Sequence, residues 1–195
     1  DFHAMTDMAH KEGVFEKSES TIIKNLLRFD DILVKDIMTP RAVMKIASEE
    51  KSIADFFKDN QKLRFSRIPV YTEIMDNITG YVLKDNVLEE MIDQNGEIPL
   101  KEIKREILVT RRSTPIPTLF ETLIQKREAI ALVVDEYGSV SGLVTMEDVI
   151  ETLLGLEIMD ESDNIADLQV LARKNWEIRA KASGVIEKPR VSPEK

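Results

Sequence analysis

The spacing of hydrophobic positions changes several times along this chain, and the changes come in the same order twice. Ile22, Ile23, Leu26 and Leu27, extended by Phe29, form one stripe at helical spacing behind Ser18 and Ser20, so a helix is expected over 18–29. A short helical turn at 34–38 ends at Thr39-Pro40, because proline drives the preceding residue out of helical geometry, and an extended piece over 43–47 follows. Ser52 then caps a helix with Ile53, Phe56 and Phe57 on its inner face. Strands are expected at 66–71 and 78–83, joined across Met75-Asp76-Asn77. A helix from Asp85 buries Val87, Leu88, Met91 and Ile92 until Asn95-Gly96 breaks it.

The second half repeats this order. Residues 100–103 parallel 34–37, 107–110 are extended, and Pro117 opens a helix with Leu119, Phe120, Leu123 and Ile124 inward. An unbroken apolar strand at 129–134, a tight turn at 135–139 and a strand at 140–144 lead to a closing helix at 146–154 that buries Val149, Ile150, Leu153 and Leu154. The stretches 78–89 and 140–151 match at Gly80 and Gly142, Val82 and Val144, Asp85 and Glu147, Val87 and Val149, and Glu89 and Glu151, an offset of 62 positions (142 − 80).

Each half therefore reads β-α-β-β-α. About 60 residues is marginal for an independent core, so two copies are expected to pack sheet to sheet about a pseudo-twofold axis. The lost alternation at 129–134 fits a strand covered on both faces. The fold class is α/β of the α+β kind, with flanking N- and C-terminal helices. The expected divisions are a linker helix at 1–33, a first repeat at 34–96, a second at 97–156, and an acidic linker, helical segment (165–181, with Trp176) and frayed tail at 157–195.

Charge and composition then remove function classes. A net charge of −9 over 195 residues speaks against a nucleic-acid partner, which needs a basic face. With no cysteine, disulfides, thiolate nucleophiles and zinc-thiolate sites are absent, and the two histidines, His3 and His10, stand together in a polar N-terminal stretch without other ligand-type residues at helical spacing. Nothing points to an enzyme or to a protein-held metal. No run approaches the roughly 18 apolar residues of a membrane span. The start at Asp1 suggests a fragment whose missing part lies upstream.

Four stretches resemble a known family: Val34-Lys35-Asp36-Ile37-Met38-Thr39-Pro40-Arg41, Ser66-Arg67-Ile68-Pro69-Val70-Tyr71, Leu132-Val133-Val134-Asp135-Glu136-Tyr137-Gly138, and Gly142 through Glu151. Together they are similar to the CBS-domain pair, or Bateman module, of the CorC and hemolysin-C-like proteins, relatives of the cyclin M magnesium transporters. The resemblance covers about Ser18 to Asp163. It implies an upstream transmembrane domain, a module on the cytoplasmic side of the bacterial inner membrane, homodimerisation, and binding of ATP (or ADP or AMP) with Mg2+ carried on the nucleotide. The family's usual C-terminal domain is not expected in the stretch after Asp163, through natural absence or truncation.

Thr145 and Asp148 open the last helix, and their spacing alone suits a capping box. The same geometry offers amides and a positive dipole to phosphate and a carboxylate to ribose hydroxyls, and the resemblance favours that ligand role. Repeat one has Leu83 and Asn86 there, so one nucleotide per module is expected. The resemblance adds Thr39, Arg41, Ser66, Arg67 and Pro69 as loop contacts near the phosphates, with Arg111 and Arg112 as reserves; each arginine reads equally as a solvated charge. Glu147 serves either a nucleotide-bound Mg2+ or the helix dipole. Ile68, Val70 and Val133 could sandwich adenine, and core packing explains them as well.

Overall fold

The computed structural model describes residues 17–61 and 65–155. His3, His10, the acidic segment and the expected helix at 165–181 lie outside the described residues. The chain runs α1 (Lys17–Arg28), a 3₁₀ turn (Phe29–Asp31), α2 (Val34–Ile37), β1 (Thr39–Pro40), a 3₁₀ turn (Arg41–Val43), β2 (Ala47–Ser48), α3 (Ile53–Asp59), β3 (Arg67–Tyr71), β4 (Ile78–Leu83) and α4 (Lys84–Ile92). A 3₁₀ turn (Leu100–Ile103), β5 (Leu108–Arg111), α5 (Ile116–Lys126), β6 (Ile130–Val134), β7 (Val140–Thr145) and α6 (Met146–Leu154) follow.

The two halves are built alike. One sheet has the order β2-β3-β4 and the other β1-β7-β6-β5; in each a parallel strand precedes an antiparallel pair. Ser52 caps α3 as its position suggested, its Oγ accepting from Asp55 N at 3.1 Å. The tight turn at 135–139 closes on Asp135, whose Oδ1 accepts from Tyr137 N (2.9 Å) and Ser139 N (2.8 Å), and it requires the positive φ of Gly138.

β6 is covered on both sides. Ala131 and Val133 face the helices in one core cluster, while Ile130 and Leu132 are equally buried but belong to neither helix-facing cluster. Successive strand residues point to opposite faces, so Ile130 and Leu132 face the other sheet. Tyr81 and Pro69, paired across β4 and β3, are the matching buried residues there. Tyr81 spans the gap, its Oη donating to Glu128 Oε2 at 2.9 Å.

Each core is completed by the lead-in segment that opens the other repeat. Phe29, Val34 and Met38 pack with Ile116, Leu119, Leu123, Val144 and Val149, whereas Leu100 packs with Ile53, Phe56, Ile68, Val70, Val82 and Val87. The hydrogen bonds of this exchange occur twice. Val34 N donates to Thr114 O (2.9 Å) and Lys35 N to Arg112 O (3.0 Å); Leu100 N donates to Lys51 O (2.9 Å) and Lys101 N to Glu49 O (3.0 Å). The lead-ins continue along the outer strands, Thr39 and Pro40 opposite Leu143 and Gly142, and Arg105 opposite Tyr81.

Three expectations need correction. Residues 43–47 are not one extended piece: Pro40 is held by β7, so the chain turns back through Arg41–Val43 and pairs with β3 only at Ala47–Ser48. Ile92 and Ile124 are 79% and 54% exposed rather than buried, because each lies in the last turn of its helix. On α1, which rests against α6, Leu26 and Leu27 are exposed while Phe29 is buried.

Candidate functional site

The site begins where β7 runs straight into α6. Thr145 is extended and caps the helix: its Oγ1 accepts from Asp148 N at 3.2 Å, and Asp148 Oδ2 accepts from Thr145 N at 2.7 Å and Thr145 Oγ1 at 2.8 Å. The capping reading is thus present in full, and it uses only one carboxylate oxygen. Among the described residues Oδ1 accepts no hydrogen bond, yet it is not a buried atom without a partner, so it reaches solvent. The cap fixes the side chain and leaves one partly exposed acceptor unused at the positive end of a nine-residue helix. The equivalent start of α4 has Leu83, which makes no side-chain cap bond.

Burial pushes the Asp148 carboxyl up to about 6; the bonds from Thr145 oppose the shift and the charges of Glu151 and Glu147 add to it. A carboxyl with a raised folded-state pKa favours folding when protonated. Its contribution therefore improves as pH falls from about 6 towards the unfolded value of 3.8 and is unfavourable above 6. A ligand diol donating to Oδ1 needs the ionised form, so affinity should change in the opposite direction. Under the ligand role that the family resemblance implies for Asp148, adenosine, which has no group titrating in this interval, would bind several-fold more weakly at pH 5.5 than at pH 7.5, while thermal stability of the free protein gains from this group. Calorimetry at the two pH values, repeated on Asp148→Asn, which should lose both trends, checks this.

The other predicted residues fall at graded distances from this point. Thr39, paired with Leu143, lies two residues along the ladder from Thr145 and is partly buried. Glu147, in the first turn of α6, is exposed. Ser66 and Arg67 stand at the matching entrance of the other repeat, where Lys84 N donates to Ser66 O (2.9 Å) and Arg67 pairs with Leu83. Pro69 is buried between the sheets beside Tyr81. Ile68, Val70 and Val133 are fully buried, the first two in one helix-facing core and Val133 in the other. Arg41 forms an exposed ion pair with Asp76 in the β3–β4 loop. Arg111 lies opposite Val134, at the far end of its sheet from Thr145, and Arg112 N is spent on Val134 O.

Two arrangements escaped sequence reasoning. Glu49, the one buried charged residue among those described, accepts from Lys104 Nζ at 2.6 Å and from the Thr79 hydroxyl, and Lys104 Nζ also donates to Thr79 Oγ1 at 3.1 Å. The Lys104 bond first, and then that of Thr79, hold the Glu49 carboxyl below its ordinary value. The second is Tyr81 with Glu128, which sits beside Ala129, whose carbonyl accepts from Met146 N at 3.0 Å at the start of α6. Partners separated by 47 and 55 positions leave no local pattern to read. Among the described residues no cluster of three or more carboxylates and histidines is placed to hold a metal, and no helix is long and apolar enough to cross a membrane.

The model of the CBS-domain family matches residues 100–155. The solved CBS domain of a bacterial CNNM/CorC family Mg2+ transporter is 30% identical, with a TM-score of 0.75, over 80% of this chain and 95% of that one. The chain belongs to this family of CBS-domain pairs. A structure of such a transporter's CBS domain in complex with ATP is 30% identical, with a TM-score of 0.67, over 71% of this chain and 98% of that one. The magnesium and cobalt efflux protein CorC of Escherichia coli K12 is 29% identical over 89% of this chain and 60% of its own length. The chain spans about half the length of the curated relatives it matches. For the CBS pair the exchanged lead-ins have a direct meaning: Thr39 belongs to the first repeat by sequence and stands in the second repeat's sheet, so the candidate site is shared between repeats.

Proposed function

We propose that this CBS pair is a non-enzymatic regulatory module that binds an adenine nucleotide, Mg-ATP foremost, at the entrance of α6. It would act on the cytoplasmic side of the membrane within a divalent-cation (magnesium) transporter or efflux protein, as a homodimer attached to an upstream transmembrane domain. The observation that carries the reading is Asp148: a carboxylate locked by its own cap through Oδ2, with Oδ1 left unused among the described residues at the entrance of α6, two ladder positions from Thr39. An unused carboxylate oxygen suits the two hydroxyls of a ribose, and the first turn of α6 suits charge on the phosphates. The ATP complex of a similar CBS domain supports the choice of ligand. Magnesium is expected to arrive on the phosphates, since small hard cations keep much of their hydration and bind through few carboxylates. Because Thr39 lies on the lead-in of the first repeat and Thr145 on the sheet it docks against, a bound nucleotide would hold that lead-in on the second repeat's sheet, and such differential affinity is what a population shift in an attached domain requires.

Calorimetry with ATP, ADP and AMP, each with and without Mg2+, tests this. Asp148→Asn keeps the shape and one acceptor and removes the charge; loss of a hydrogen bond to a charged group corresponds to an expected weakening of about tenfold or more. Asn86→Ala at the other repeat should leave affinity within about twofold, since asparagine carries no charge at the position that corresponds to Asp148. No binding of any of the three nucleotides at millimolar concentration would falsify the reading and leave a dimerisation or partner-binding platform in its place.

A further inference from the structure

We propose that Arg105 is a phosphate-binding residue of the nucleotide site, so that a ligand held by its ribose at Asp148 extends its phosphates across the two repeats towards Arg105 and Arg67. This rests on the site reading above and adds to it a residue that neither the motifs nor the comparisons indicate.

The argument starts from how Arg105 is held. Its backbone exchanges two hydrogen bonds with Tyr81, Tyr81 N to Arg105 O at 2.9 Å and Arg105 N to Tyr81 O at 2.8 Å. Its carbonyl lies against Gly80, where an added Cβ would stand only 2.3 Å away. The backbone of this arginine is therefore fixed on the edge of the first sheet, although it belongs to the segment leading into β5. The ladder of the second sheet places the same segment near the site. Leu108 pairs with Ala131 and Ala131 with Val144, while Thr145 pairs with Ile130 at the same end. Arg105 leaves β5 at that end, three residues before Leu108, a span of at most about 10 Å. Tyr81 closes the circuit through its bond to Glu128, next to the residue whose carbonyl receives the first amide of α6.

The charge at this point is available. Arg41 is paired with Asp76, Lys101 with Glu50, Lys51 with Asp59 and Lys104 with Glu49, whereas Arg105 is exposed and has no ion pair among the described residues. Arg67, on β3, likewise has none among the described residues. Burial first, and then Glu128, push the Tyr81 hydroxyl up, and the Arg105 and Arg67 guanidinium groups both act against that shift, so both lie within electrostatic reach of the same hydroxyl. The carboxylate at the spot, Glu128, already accepts from Tyr81. Two planar forks without an ion pair among the described residues, near a Tyr81 hydroxyl that is bonded to Glu128 next to the entrance of α6, suit a di- or triphosphate whose sugar is held at that entrance. The repeats are unequal in the same sense: the position of Arg105 on Tyr81 corresponds to that of Thr39 on Leu143, a neutral hydroxyl at the sugar end and a cation at the phosphate end.

Arg105→Gln should weaken ATP about tenfold or more and ADP less, while adenosine stays within about twofold of the wild type, because only the phosphates lose a partner. Lys58→Gln, which removes the same charge from exposed α3, should leave all three unchanged. Arg105→Lys keeps the charge without the fork and should give an intermediate loss for ATP alone; it decides the matter if the glutamine variant does not fold. Unchanged ATP affinity in both variants, or equal weakening of ATP and adenosine, overturns the role of Arg105 while Asp148→Asn still tests the site. A wild-type protein that binds ATP and not adenosine, with affinity insensitive to Asp148→Asn, overturns the site reading instead.

Discussion

Alanine at Gly142 is expected to cost about 3 kcal/mol or more, a drop in melting temperature on the order of 10 °C. An added Cβ would lie 2.4 Å from the carbonyl oxygen of Thr39, 3.2 Å from Met38 Sδ and 3.3 Å from the Thr39 carbonyl carbon. Backbone cannot yield as a side-chain tip can, so β1 must move off β7, taking with it Met38 and Val34, which belong to the second repeat's core. Gly80→Ala repeats the experiment on the other side of the pseudo-twofold axis, where the obstacle is Arg105 O at 2.3 Å. Gly138→Ala is the control. It has a positive φ and no neighbour within 4 Å, so it carries only the conformational penalty, about 1 kcal/mol. Chemical denaturation of the three variants should rank Gly138→Ala as much the mildest. Equal losses would mean that the lead-ins are not docked as described. Because Thr39 is part of the proposed site, that proposal expects Gly142→Ala also to weaken nucleotide binding well below the unfolding transition.

Lys104→Ala is expected to be the most damaging change among the charged residues, at about 2–3 kcal/mol. Removing one partner of a buried pair leaves the other desolvated and uncompensated; Lys104 itself is a quarter exposed, so water relieves part of the cost. Glu49 would keep only Thr79. The pH dependence identifies the cause. With its lowered pKa, Glu49 contributes stability above the unfolded value of 4.5 and loses it as pH falls through the folded one, so the gap between wild type and Lys104→Ala should narrow as pH falls below 4.5. Lys104→Met with Glu49→Gln, which removes both charges and keeps the bulk, should recover most of the loss. A gap that persists unchanged in acid would assign the effect to packing. This pair ties the lead-in at 100–105 to the first sheet, and Met38 is its apolar counterpart over Gly142, so the two crossings are alike in path and different in chemistry.

Much of this architecture was legible in the chain. Strand 78–83 and helix 146–154 match their observed bounds, since the strand's apolar run gives way to the charged Lys84 and Asp85 and the helix ends at Gly155. Thr145 and Asp148 were legible because a cap is a local device whose partners lie three residues apart. The errors fall where a long-range partner decides. The chain turns at Arg41–Val43, just where the expected extended piece begins, because Pro40 is held by β7, and Ile92 and Ile124 are exposed because periodicity cannot tell where a helix outruns its sheet. Ile68 and Val133 had two readings that no spacing separates, and the structure shows their side chains in the helix-facing cores.

The sequence by itself determined the duplication, the strand and helix order of each half, and the inequality of the two helix entrances, because hydrophobic period and capping chemistry act within a few residues. Only the tertiary structure decided that each core is finished by the other half's lead-in, that Glu49 meets Lys104, and that Tyr81 reaches Glu128 while its backbone pairs with Arg105. Those contacts join positions dozens of residues apart, and their stability comes from burial and from excluding water around paired charges, quantities that exist only after the chain has closed on itself.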